Sequence, residues 1–297
     1  MSHKNTQTII NSKAGKNADA VLLVAPYERT ASFRKGTKNG PASIIECLNY
    51  QIEFYDREMN TEPIHSFVVG LDTSLKTLNN EKNPEKAVQK VYTAHKKIIA
   101  NGCLPVILGG EHSMTIGALM SLKEKYSPKD VTIVHIDAHL DMRSSDADYS
   151  DHPSDFAHST VMRHAGEMGY KIVSVGIRTG STEEFEYADS KKGQITIFEW
   201  SKKNRPSIET ILAAVTTKYI YLSIDVDGID PGSMPATGTP VQGGLEWYFA
   251  LELFNKVALS KKLVGFDIVE VSPSKEDVRT EFGAAQICYN ILARHFN

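Results

Sequence analysis

Residues 131–141 read VTIVHIDAHLD, an apolar, β-branched run that ends in alternating acidic and imidazole side chains. A short run of this kind fits a strand buried on both faces, and such strands belong to parallel sheets covered by helices. The same pattern recurs twice: LPVILGGEHS spans 104–113 and YIYLSIDVDGIDP spans 219–231. Three buried strands therefore each end in a charged cluster, which is where α/β proteins place their chemistry. Side chains alternate faces along an extended segment, so Asp137, His139 and Asp141 project the same way, as do Asp225 and Asp227. With His112 of the first cluster they make six candidate ligands.

Outward from these three segments the chain keeps alternating. Short apolar runs suited to strands occur at 21–25, 67–70, 104–108, 131–135, 172–176, 195–198, 219–224 and 263–268. Amphipathic stretches suited to helices lie at 84–100, 115–125, 159–168, 207–216, 245–259 and 282–296. Repeated strand and helix imply a parallel sheet with helices on both faces, as a barrel or as an open sheet.

Six nitrogen and oxygen ligands without a thiolate suit a hard or borderline metal, and four carboxylates can neutralise two divalent cations almost completely. Two imidazoles among mostly oxygen donors favour Mn²⁺ over a four-coordinate structural Zn²⁺ site. Paired divalent metals commonly serve hydrolysis. The plain alternative is that these are strand-end turns whose Asp and Gly satisfy backbone groups, and it does not explain three clusters at three strand ends. Asp230 fits either a hydrogen-bonding partner of the ligands or a turn residue before Pro231.

The three clusters together resemble the ureohydrolase family of arginases, agmatinases and formiminoglutamases. SFRKGTKNGPASI at 32–44 is similar to the family's early loop and following helix, PATGTPVQGGL at 235–245 to its substrate-proximal loop, and GFDIVEVSP at 265–273 to its last strand. The resemblance covers roughly residues 20–295. It implies an open three-layer α/β/α fold with an eight-stranded parallel sheet, and two Mn²⁺ per chain. Asp137 and Asp225 take the bridging positions, His112 and Asp141 complete one metal, and His139 and Asp227 the other. Glu270 matches the glutamate that pairs with the substrate guanidinium, a bidentate arrangement available to a carboxylate. His158, in DFAHSTVMRH, matches the histidine that carries protons, with His152 and His164 as neighbouring competitors. Ser159 stands where many members have Gly, and His135 fits better as a filler of the sheet than as a ligand.

Composition fits one catalytic domain over 20–297 after a flexible polar leader over 1–19. At 297 residues with 41% hydrophobic side chains, the chain can build a substantial core. A net charge of −3 gives no reason to expect nucleic acid or an anionic membrane as partner. Cys47, Cys103 and Cys288 sit in apolar surroundings without a CxxC pair and read as reduced core residues of a cytoplasmic protein. The family resemblance implies a homotrimer or hexamer.

Substrate choice rests on the segment after the second cluster. Arginases carry there an Asn-containing stretch that holds the α-carboxylate and α-ammonium of their amino acid. This chain has Met142, Arg143 and SSDADYSDHPSDF, which resembles agmatinases. Asp146, Asp148, Asp151 and Asp155 offer counter-charges for a terminal ammonium, and also fit a solvated acidic loop. Arg143 can face a substrate carboxylate or pair with a neighbouring Asp. The expectation is hydrolysis of the small guanidino substrate agmatine to putrescine and urea. Arginase, guanidinobutyrase, formiminoglutamase-type and aminopropylagmatine ureohydrolase activities are the alternatives. A silent metal-binding regulatory subunit is disfavoured by the intact ligand set, and a histone-deacetylase-like amidohydrolase by the number of carboxylates.

Overall fold

The computed structural model describes residues 8–13, 17–260 and 262–297. Its strands are β1 (Ile10–Lys13), β2 (Ala20–Ala25), β3 (Val69–Asp72), β4 (Leu104–Gly109), β5 (Val131–Ile136), β6 (Lys171–Ile177), β7 (Ile195–Glu199), β8 (Tyr219–Asp225) and β9 (Leu263–Val269). They form one open sheet in the order β1-β3-β2-β4-β9-β8-β5-β6-β7, with every pair parallel. The helices are α1 (Gly40–Tyr50), α2 (Pro84–Ala100), α3 (Met114–Lys125), α4 (Val161–Met168), α5 (Thr182–Ser190), α6 (Ile208–Ala213), α7 (Trp247–Leu259) and α8 (Arg279–Phe296).

The layering follows from alternation along the strands. On β2, Ala20 and Leu22 face a core shared with α1, α6, α7 and α8. Val21, Leu23 and Ala25 face the opposite core, built with α2, α3, α4 and α5. Both faces of the sheet are thus apolar and both are covered, giving a three-layer α/β/α sandwich.

The eight expected strands are all present, and two further elements join them. The sheet has nine strands, because Ile10–Lys13 adds to the edge of β3 in parallel register. This strand lies inside the stretch expected as a flexible polar leader. Ile9 beside it is 1% exposed, and β3 offers an edge whose backbone groups need partners. Residues 1–7 and 14–16 of that leader lie outside the described residues. Helix α5 was not anticipated. A capping box starts it, with the Ser181 hydroxyl accepting from the Glu184 amide and the Glu184 carboxylate from the Ser181 amide at 2.8 Å. Helix α2 matches its expected bounds, with Asn83 capping the Lys86 amide and Pro84 at the first turn.

Candidate metal centre and active site

The chain runs from β4 to β5 and leaves two places between them that β8 and β9 fill at the end. Strands β4, β9, β8 and β5 are therefore neighbours, and their carboxyl ends carry GGEHS, EVSP, the third cluster and HIDAHLD side by side. Register sets their level: Ile136 pairs with Ile224, and Ile224 with Ile268, so Asp137 and Asp225 leave their strands together. Gly228 permits this approach, since a Cβ there would lie 2.6 Å from the Asp137 backbone nitrogen. Asp141 and Glu270 adopt left-handed backbone conformations with φ of 52° and 63°. That strain costs non-glycine residues about 1–2 kcal/mol and concentrates at functional sites.

Asp137 stands at the centre. Its Oδ2 lies 3.3 Å from His112 Nδ1 and its Oδ1 3.3 Å from His139 Nδ1. Around His112 Nδ1 also gather Asp141 Oδ2 at 2.9 Å and Asp225 Oδ2 at 3.7 Å, while His139 Nδ1 meets Asp227 Oδ2 at 3.1 Å. The result is two groups able to hold a metal ion, sharing Asp137: His112, His135, Asp137 and Asp141, and Asp137, His139 and Asp227. Asp225 lies alongside both, its Oδ1 accepting from the Asp227 amide at 2.8 Å. All are buried except His139, whose side chain is 30% exposed and marks the open side.

These carboxylates cannot all stay ionised together without a cation. Burial, then the Asp227 and Asp137 charges, push Asp225 well above the usual carboxylate range, and burial with Asp137 raises Asp141 to about 6. Burial opposes protonation of His112, but Asp137 and Asp141 override it and raise the imidazole well above its ordinary value. The pocket gathers positive charge however it can, which is the electrostatic condition for metal binding in exchange for protons.

A buried chain of hydrogen bonds fixes which nitrogen of His112 faces the cluster. Asp267, within β9, accepts from Thr115 Oγ1, Tyr221 OH and Ser223 Oγ, each at 2.9 Å, and from the Ile224 amide at 3.2 Å. The single Ser223 proton is thereby committed to Asp267, so Ser223 Oγ accepts from His112 Nε2 at 2.9 Å. Nδ1 is therefore the nitrogen that faces the carboxylates, with Asp141 Oδ2 at 2.9 Å, and it holds either a proton shared with them or, once that proton leaves, a lone pair for a metal. A lone pair surrounded by anionic oxygens is stable only with a cation between them, so the donor set fits a metal. The sequence did carry a signal for Asp267: an acid inside the apolar run LVGFDIV must be satisfied by buried donors.

His135 belongs to β5, as expected of a residue that fills the sheet. It sits in the sheet, but Nε2 bonds Asp137 Oδ2 at 2.8 Å and Nδ1 bonds Ser174 Oγ at 3.1 Å, so it touches the cluster directly. Glu270 lies at the end of β9, where Oε1 accepts from the His112 amide at 2.8 Å. Burial and then the Glu111 charge raise its pKa well above normal. Glu111, fully buried, accepts from the Thr30 amide and hydroxyl at 2.9 and 2.5 Å, and Thr30 Oγ1 accepts from the His158 amide at 3.2 Å. That chain ties the early loop to the segment bearing His158. Burial, followed by repulsion from His139 and His112, pushes His158 down to about 4, so it is a neutral imidazole, and its Nε2 lacks a partner. Its competitors lie elsewhere: His152 is exposed, and His164 bonds the Asp155 carbonyl at 2.8 Å.

The acidic segment sorts into roles. Asp146 is 1% exposed and accepts from the Ser154 amide at 2.6 Å, closing the loop on itself. Asp148 pairs with Arg143, whose Nε also lies 3.8 Å from Glu184 Oε2. Asp151 and Asp155 are exposed. Asp230 braces a loop instead of a ligand, accepting from the amides of Gly232, Gly243 and Gly244 at 2.8, 3.0 and 3.0 Å. Arg178, unnoticed in the sequence, donates to the Asp227 carbonyl at 2.5 Å and to Val241 O at 2.6 Å, clamping the 235–245 loop to the third cluster.

The sequence profile of the Arginase family matches residues 18–293. The chain belongs to that family. The N(1)-aminopropylagmatine ureohydrolase of Synechocystis is 35% identical over 284 residues, covering 93% of this chain and 89% of that protein. The agmatinase of Pyrococcus horikoshii is 32% identical, covering 93% and 92%. The agmatine ureohydrolase of Thermoplasma volcanium has the same fold, with TM-score 0.82, 31% identity and coverage of 99% and 95%. This chain is accordingly an arginase-family ureohydrolase with a His/Asp cluster able to hold metal ions. Among the described residues no helix is long and apolar enough to cross a membrane.

Proposed function

We propose that this ureohydrolase cleaves agmatine to putrescine and urea, using two Mn²⁺ held by His112, Asp137, His139, Asp141, Asp225 and Asp227. When bound, such a metal pair supplies Lewis acidity that makes water nucleophilic near neutral pH. The chain supplies the rest. Glu270 presents a buried carboxylate, pinned through one oxygen by the His112 amide, to pair with the planar guanidinium and fix its orientation. His158, neutral and partly exposed, accepts a proton and returns it to the departing amine, which leaves readily only when protonated.

One observation carries the choice of substrate. Arg143 is the sole Lys or Arg between residues 142 and 157, and its guanidinium is already engaged by Asp148 and Glu184. No free cation remains in that segment for the carboxylate of arginine or 4-guanidinobutyrate, and an unpaired buried charge costs several kcal/mol. A second reading, N1-aminopropylagmatine, is favoured by the Synechocystis relative at 35% identity. The three buried free cysteines support a reducing, cytoplasmic setting. Tyr55, Tyr248 and Leu259, exposed along one groove, offer surface for a trimer or hexamer.

Urea release from agmatine, aminopropylagmatine, arginine and 4-guanidinobutyrate, measured side by side on manganese-loaded protein, tests this. Either amine should exceed both acids by about a hundredfold or more in kcat/KM. Preference for a carboxylate-bearing substrate refutes the reading.

A further inference from the structure

We propose that Tyr149 is a specificity-determining residue that reads the amine end of the substrate with its aromatic ring. The inference rests on the amine-substrate reading above and names what recognises the cation. Tyr149 belongs to the segment that leaves the second cluster, and this segment is folded against itself. The Asp146 carboxylate accepts from the Ser154 amide at 2.6 Å, the Asp146 amide donates to Ser154 O at 3.2 Å, and the Tyr149 amide donates to Asp146 O at 3.2 Å. The loop therefore presents its tip in a fixed place, and the tip residue is aromatic.

That ring lies beside the reaction centre. Its centroid is 6.0 Å from the His158 ring, inclined by 45°, and the side chain is 38% exposed. The carboxylates of the same segment are poorly suited to the task. Asp146 is committed to loop closure and Asp148 to Arg143. Asp151 and Asp155 stand in water, where ion pairs are weak. An aromatic face attracts an ammonium through its quadrupole and also packs against the methylenes that carry it. The ring already meets one cation in this way: the Arg143 guanidinium carbon lies 5.5 Å from its centroid, held there by Asp148 and Glu184. Such a wall takes amines with alkyl chains, including chains with a second ammonium. The ring's quadrupole repels a carboxylate, and the Arg143 charge beside it is already balanced by Asp148 and Glu184.

Agmatine and n-butylguanidine differ only in the terminal ammonium, so the ratio of their kcat/KM values isolates its recognition from folding, metal content and chemistry. In the manganese-loaded protein Tyr149→Leu should lower that ratio about tenfold, chiefly through the KM for agmatine, whereas Tyr149→Phe should hold it within about twofold. A wild-type preference for the ammonium that survives Tyr149→Leu overturns the proposal alone. Wild-type protein that turns over n-butylguanidine as well as agmatine overturns the amine-substrate reading and the proposal with it.

Discussion

Replacing Ser223 with alanine removes the one acceptor that the described residues offer the His112 Nε2 proton, at a position with no exposure to water. The unpaired buried donor costs about 1–3 kcal/mol. The imidazole can recover that energy by moving its proton to Nδ1, where Asp141 Oδ2 stands at 2.9 Å and Asp137 Oδ2 at 3.3 Å. A proton on Nδ1 occupies the lone pair that a metal needs. Metal binding must then return the ring to the disfavoured tautomer, so apparent affinity should fall by about 5- to 150-fold, the equivalent of the same 1–3 kcal/mol. Competition between the protein and a chromophoric manganese chelator measures this directly, and activity at saturating manganese should largely recover. Thr115→Val is the control. It removes another donor to Asp267 but leaves the Ser223 bond to His112 in place, so it should lower thermal stability with little change in affinity. Ser223→Ala binding manganese as tightly as wild type would refute the tautomer argument.

Asp225→Asn leaves both candidate metal positions under-neutralised, and elemental analysis should show metal loss with turnover reduced to near background; full double occupancy with normal rates sinks the ligand assignment. Glu270→Gln keeps the shape and the acceptor for the His112 amide but loses the charged pair, so kcat/KM should fall by about 2 kcal/mol or more, roughly thirtyfold, with metal content retained. Unchanged efficiency towards every guanidino substrate makes Glu270 structural. Burial raises the thiols of Cys47 to about 11 and Cys288 to about 12, because it disfavours the charged thiolate. At pH 8 both should react with a disulfide reagent far more slowly than in denaturant, where the thiols return to ordinary pKa values. Rapid labelling of both thiols in the folded protein contradicts their burial.

The sequence by itself determined eight of the strands, a parallel sheet covered on both faces and the candidate ligands, because those depend on local periodicity and residue type. The alternation of Ala20, Leu22 against Val21, Leu23 assigns two faces before any tertiary contact is known. GGEHS, HIDAHLD and the third cluster identify themselves by ending apolar runs, although β5 stops at Ile136 and it is the bend after it, with Asp141 at φ 52°, that turns Asp137, His139 and Asp141 to one centre, not the strand alternation the sequence suggested. What the local pattern could not decide is everything that depends on which strands become neighbours. Asp267, Tyr221 and the His112/Thr115 pair lie far apart in the chain, and only the β4-β9-β8-β5 order stacks them into one hydrogen-bonded line. Arg143 carried equal promise as a carboxylate reader until folding placed Asp148 and Glu184 against it. The leader looked flexible by composition, and strand β1 arises because β3 leaves an edge for it to pair with. Residue type sets what a side chain can do, and the tertiary structure decides whether a partner has already claimed it.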